Sequence, residues 1–246
     1  GMRVKRNNDL PKTFHATSTR IKGDIPMTIL TLKQAKEIAG ELGNPSKMPG
    51  FSYGLPAAKA EWVPALCVLR GLPLPPEYGC NVGSKLSEIE GTPCFNCYAN
   101  DRGNYTYPSV HIGQLKRLVG VFNPLWKHAM VRLIGHYVDP QEPYFRWLDS
   151  GDVINAKMLE DIIWIATQLR WVNFWLPTQE RGLLRNLESV PSNLAVRLSS
   201  LYKDVHKVKT FRDFIKSSSI STDGNHDCPS ANYDNTCGPC RACWDT

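Results

Sequence analysis

The chain has 246 residues, 42% of them apolar, and 29 Lys and Arg against 23 Asp and Glu give a formal charge of +6. That length supports one good core with room for a small appendage, and no apolar run approaches a bilayer span or a signal peptide. A membrane protein is thereby excluded and a soluble, cytoplasmic one expected. In a reducing compartment the eight cysteines point to metal or redox chemistry sooner than to disulfides. Metal-bound cysteines are thiolates, so the effective charge balance is only mildly basic.

Gly1 ahead of Met2 reads as a scar of tag removal, and residues 1–27 as a flexible arm, polar and basic (Arg3, Lys5, Arg6, Lys12, Arg20, Lys22). Such an arm offers nucleic acid a contact, although no reading motif is interleaved with it and a solvated basic face explains it as well. Residues 28–216 form the main domain. Thr31 can cap a helix running to Leu42, which Gly43-Asn44-Pro45 ends, and Phe51 to Ala58 reads as a strand. Cys67 stands in an apolar run and is assigned to the core. From His111 to Val138 the apolar residues recur at helical spacing, broken into two helices at Asn123-Pro124.

Three β-type runs follow, Tyr144 to Leu148, Trp171 to Leu176 and Leu194 to Leu198, with helical patterns between them. That rhythm predicts right-handed crossovers and an α/β fold with a mostly parallel sheet. Ligands of such sheets bind beyond the carboxyl ends of the strands, where this chain carries Asp149-Ser150-Gly151-Asp152, then Thr178-Gln179-Glu180, then Ser199. Arg146 and Arg197 lie inside strands and require an anion or a paired carboxylate. A short helix is expected around Phe211 to Ile215, before a cysteine-rich tail over residues 217–246.

Seven cysteines fall into two groups. Cys80, Cys94 and Cys97 form a C-x13-C-x2-C set, in which the last pair makes a chelating knuckle on a Thr92-Pro93 turn. Three thiolates on a four-iron cluster leave one iron open to a small molecule. Cys228, Cys237, Cys240 and Cys243 form C-x8-C-x2-C-x2-C, a self-sufficient set for a closed 4Fe-4S cluster. Zinc remains the alternative at both, since ligand softness does not separate the two metals.

Thr92-Pro93-Cys94-Phe95-Asn96-Cys97-Tyr98-Ala99, Arg146 to Asp152, Phe174-Trp175-Leu176-Pro177-Thr178, Val196-Arg197-Leu198-Ser199 and the Cys-x2-Cys-x2-Cys-Trp tail resemble the phage-associated gene product eighty-eight family. If the chain is phage-encoded, its cytoplasm is that of the host cell. More distantly, the layout is similar to the radical S-adenosylmethionine enzymes, whose C-x3-C-x2-C spacing differs from C-x13-C-x2-C here. That likeness implies a partial (β/α) barrel and two 4Fe-4S clusters. It further implies bound S-adenosylmethionine, with Ser150-Gly151-Asp152 at its amino group and Arg197 or Ser199 at its ribose or carboxylate. A ferredoxin or flavodoxin would donate electrons. The expectation is an enzyme of that type with an unknown substrate; the alternative is a non-catalytic, metal-stabilised binding protein, nucleic acid being one partner.

Overall fold

Five runs, Phe51–Tyr53 (β1), Tyr144–Trp147 (β2), Asn173–Thr178 (β3), Leu194–Ser199 (β4) and Ile215–Ser218 (β5), pair as one open sheet in chain order, every neighbouring pair parallel. The computed structural model describes residues 30–205 and 208–246. The basic arm expected over residues 1–27 lies outside them. Among the described residues no helix is long and apolar enough to cross a membrane.

Register explains which face is dry. Phe51, Phe145, Phe174 and Leu194 stand side by side on successive strands, as do Leu176, Val196 and Ile215. Successive side chains of a strand point to opposite faces, so these rows share one face. The helices Leu32–Ala39 (α1), Pro108–Val121 (α5), Trp126–Tyr137 (α6) and Ala156–Gln168 (α7) contribute apolar residues to the same core. At its centre Trp126 packs on Tyr53 and Trp147, and its Nε1 donates to Tyr53 Oη at 3.0 Å. The other face carries Arg146 beside Trp175 and Pro177 beside Arg197.

Thr31 caps α1 as expected, in a reciprocal capping box: Gln34 N donates to Thr31 Oγ1 at 3.2 Å, and Thr31 N donates to Gln34 Oε1 at 2.9 Å. Thr31→Ala is expected to cost about 1 kcal/mol in a urea titration.

Two expectations change. The strand at Phe51 stops at Tyr53, because Gly54 and the loop after it turn toward the end of β2. Residues 211–214 are turn, and Ile215–Ser218 is the fifth strand, pairing Val196 with Ile215 through Ser199 with Ser218. A four-residue run with one buried position lacks the alternation that marks a strand. Between β1 and α5 the chain also forms the helices Val63–Arg70 (α2), Asn81–Leu86 (α3) and Tyr98–Asp101 (α4). Cys67 is buried, as its apolar surroundings required.

Candidate metal and ligand site

The carboxyl ends of β2 to β5 surround a cavity of about 200 Å³, and the Cys80–Ala99 segment covers it. Cys80, Gly83, Cys94, Tyr98, Arg146, Asp149 to Asp152, Thr178, Gln179, Ser199 and Ser218 are in its wall. That volume is several times what a water needs, so the space suits a small molecule.

The cysteine segment is tied down at several points. Cys80 N donates to Ala58 O at 2.8 Å, Asn81 Nδ2 to Ile154 O at 2.7 Å, and Val82 N to Glu180 Oε1 at 2.9 Å. Glu180, expected as a ligand contact, holds the first turn of α3 against the sheet instead. Thr92 Oγ1 donates to Leu86 O at 2.7 Å and accepts from Phe95 N at 3.1 Å, which shapes the knuckle.

Gly83 shows how close the thiols come. A Cβ there would lie 2.8 Å from Cys80 Cβ and 3.5 Å from the sulfurs of both Cys80 and Cys94. Only a hydrogen leaves that space free. Burial pushes the Cys80 thiol well up, with the charges of Asp152, Cys97 and Cys94 adding to it. Burial and then Cys97 and Asp152 push Cys94 up to about 11, and the Arg181 guanidinium opposes them. Three thiols and a carboxylate that repel one another through their ionised forms have been gathered in one place, and a bound cation would relieve that repulsion. All eight cysteines are free of disulfides. Among the described residues, no three of the His, Cys, Asp and Glu side chains are grouped as a ready site for a metal ion.

Asp152 organises the strand ends. Its Oδ1 accepts from Thr178 Oγ1 at 2.6 Å and Val153 N at 2.8 Å, and its Oδ2 accepts from Gln179 N at 2.8 Å. Burial still pushes its carboxyl up to about 7, with the charge of Glu180 adding to the shift. Ser150 is turned away from any ligand: its Oγ donates to Leu55 O at 2.9 Å and accepts from Gln114 Nε2 at 2.9 Å. Gly151 holds φ +75 with its missing Cβ against Leu55, so the turn needs glycine there. Two walls stay chemically open. Asp149 Oδ1 and Arg146 Nε are buried without a hydrogen-bond partner. Leu148, between them, adopts φ +55, a strained conformation for a branched residue.

The tail lies across the second face of the sheet. Trp244, 4% exposed, donates from Nε1 to Phe145 O at 3.0 Å and packs edge-on against Tyr144 and Trp175, each at 5.3 Å. The anion expected for Arg197 proves to be a set of carbonyls: Nε donates to Cys243 O at 2.9 Å, and the terminal nitrogens reach Ala242 O, Asp245 O and Ser217 O. Arg197 is therefore a clamp on the tail and is absent from the cavity wall. Burial, then the charges of Cys228 and Cys240, push the Cys237 thiol up; burial pushes Cys243 up too, and Cys237 and Cys228 add to it. Cys237 thus stands within electrostatic reach of Cys228, Cys240 and Cys243, and Cys243 within reach of Cys228.

Of the expected ligand contacts, Asp149, Ser150, Gly151, Asp152, Thr178 and Ser199 line the cavity, while Glu180 and Arg197 do not. Tyr98 and Gly83 were not singled out from the sequence. A glycine three residues past a cysteine carries no signal of its own.

The gene product 88 family matches residues 29–246. The chain belongs to that family. Neither the curated proteins nor the solved structures contain a match. The match takes in both cysteine groups and every strand of this gene product 88 protein.

Proposed function

We propose that this protein is an iron-sulfur enzyme of the radical S-adenosylmethionine type, with an open sheet that serves as a partial barrel. The observation that carries this reading is the meeting of Cys80 and Cys94 beside Gly83, in the wall of a cavity at the carboxyl end of a parallel sheet. Parallel strands in chain order leave their carboxyl ends as the place for a ligand. All-thiolate donors at two groups suit 4Fe-4S clusters.

When bound, the three-thiolate cluster supplies an iron with a free coordination position and an electron for reductive cleavage of a sulfonium. The chain's own residues do the rest. Cys80, Cys94 and Cys97 would hold the cluster, and Cys228, Cys237, Cys240 and Cys243 a second one. Asp149 presents an unpartnered acceptor to the ligand, and Ser199 a hydroxyl. Asp152, through Thr178 and Gln179, fixes the strand ends that shape the cavity. A small reductase of the ferredoxin or flavodoxin kind would supply electrons.

Anaerobic purification followed by iron, sulfide and zinc analysis tests this, with two clusters' worth of iron expected. Reductive incubation with S-adenosylmethionine is then expected to release 5′-deoxyadenosine, and Cys94→Ala to release none. The clamped four-thiol tail suits a structural zinc as well. Zinc in both groups would overturn the enzyme and make this a metal-stabilised binding protein, for which nucleic acid is the partner to test.

Gly83→Ala gives a sharper check on the first group. Ala is the better helix former, but its methyl would fill the gap between the two sulfurs. Because Cys80 must shift to admit that methyl, the variant is expected to unfold at a lower temperature and to lose most of the first group's iron; retained iron would place the metal elsewhere.

A further inference from the structure

The cysteine knuckle has a second cavity on its other side, of about 450 Å³, to which the chemistry above gives no role. Cys94 lines both cavities and Cys97 only this one, so the knuckle is the partition between them. Small-molecule pockets run from roughly 300 to 1,000 Å³, and the second cavity falls inside that range whereas the first falls below it. Backbone strain gathers at its wall. Among the described residues seven other than glycine hold a positive φ, and three of them, Ala58 at +53, Ala60 at +48 and Asn96 at +54, line this cavity. Alanine has no polar side chain to ease that conformation, so its surroundings must impose it. Here they do: Ala58 O accepts from Cys80 N at 2.8 Å, and Ala60 O from Val63 N at 3.0 Å. Imposed strain of this kind clusters at ligand sites.

The side chains at the wall set the chemistry. Trp62, the N-cap residue of α2, is stacked on His111 with ring centres 4.4 Å apart and planes 13° apart, which fixes the indole where it borders the cavity. Asn96 and Asn100 bring two side-chain amides, and Glu61 a carboxylate. Among the described residues those amides and the Trp62 indole N–H have no hydrogen-bond partner, so all are available to a ligand. Lys59 is the one cation among the described lining residues, and Glu88 Oε1 already holds its Nζ at 2.6 Å. An aromatic ring beside paired amide donors and acceptors, with no free cation, matches a flat uncharged heterocycle whose edge carries both donors and acceptors. We propose that the second cavity binds a nucleobase, as a neutral nucleoside, with Trp62 as the aromatic contact and Asn96 and Asn100 reading the edge of the base. Nothing in this site needs iron.

The test is calorimetric titration of the full chain as purified with adenosine, guanosine, cytidine and uridine, and with the 5′-monophosphate of each. At least one nucleoside is expected to bind, and its monophosphate to bind no more tightly. Trp62→Leu is expected to weaken that binding on the order of ten- to a hundredfold, the size of one base stacked on an aromatic ring, and Trp62→Phe to stay near the wild type. Should Trp62→Leu fail to fold, the double variant Asn96→Gly, Asn100→Ala takes its place: glycine keeps the positive φ, alanine suits α4, and neither change removes a side-chain hydrogen bond. It is expected to bind more weakly and to lose preference among the four bases. No binding by any nucleoside would overturn the proposal. So would wild-type affinity in the folded Trp62→Leu or double variant, or a monophosphate bound far more tightly than its nucleoside, which would make phosphate the group recognised.

Discussion

Trp244→Ala is expected to lower the unfolding free energy by about 3–5 kcal/mol, the range for deleting a large buried aromatic that leaves a cavity behind. The indole fills the space between Tyr144 and Trp175, and its N–H satisfies Phe145 O on β2. Loss of the ring removes the anchor by which the last residues reach the sheet and leaves Arg197 as the main clamp. Trp244→Phe separates the two contributions: it keeps most of the packing, loses the hydrogen bond, and is expected to cost about 1–2 kcal/mol. Urea titrations of the three proteins check the order. A second readout is the reactivity of the tail cysteines toward a thiol reagent in metal-free protein, expected to rise in Trp244→Ala. A cost below about 1 kcal/mol would mean that the tail is not seated on the sheet.

The same tryptophan shows what the sequence conceals. Its place one residue after Cys243 is visible, but that a C-terminal aromatic covers the second face of the sheet, against Trp175 and the carbonyl of Phe145 99 residues earlier, depends on tertiary packing. Local patterns carried the rest. Apolar periodicity located α5, α6 and α7, because each buries one stripe against the sheet, and the polar turns after β2 and β3 located the cavity, because strand ends in parallel sheets are where backbone groups go unpaired. Single residues were harder. Arg197 and Arg146 look alike, each a cation within a strand, yet one binds carbonyls of the tail and the other has no anion. Glu180 looked like a ligand contact because it follows Thr178. Its side chain is instead the acceptor for the backbone of α3, a partner 98 residues away. Residue type and spacing reveal that a charge must be satisfied; they do not reveal by what.

Asp152→Ala is expected to cost on the order of 3–5 kcal/mol, since Gln179 N, Val153 N and the Thr178 hydroxyl all donate to its carboxylate and burial denies them water. The cost has a pH dependence whose sign is fixed by the same burial. The carboxyl is held at about 7, above the ordinary 3.8, so folding favours its protonated form. Its contribution to stability is full below about pH 4, declines as the pH rises through the interval to about 7, and is level above that. Exposed carboxylates such as Asp204, held below the usual range by the Thr222 donors, act in the opposite sense at lower pH. The measurement is therefore a difference. In metal-free protein, the gap in urea midpoint between wild type and Asp152→Asn is expected to be wider at pH 5 than at pH 7.5, because the aspartate is disfavoured only when it ionises. A gap that widens toward pH 7.5 instead would show that the three donors outweigh burial and that Asp152 is held as a carboxylate. Iron bound beside it would add a positive charge and shift the balance the same way, so repeating the comparison after reconstitution separates the contribution of the chain from that of the metal.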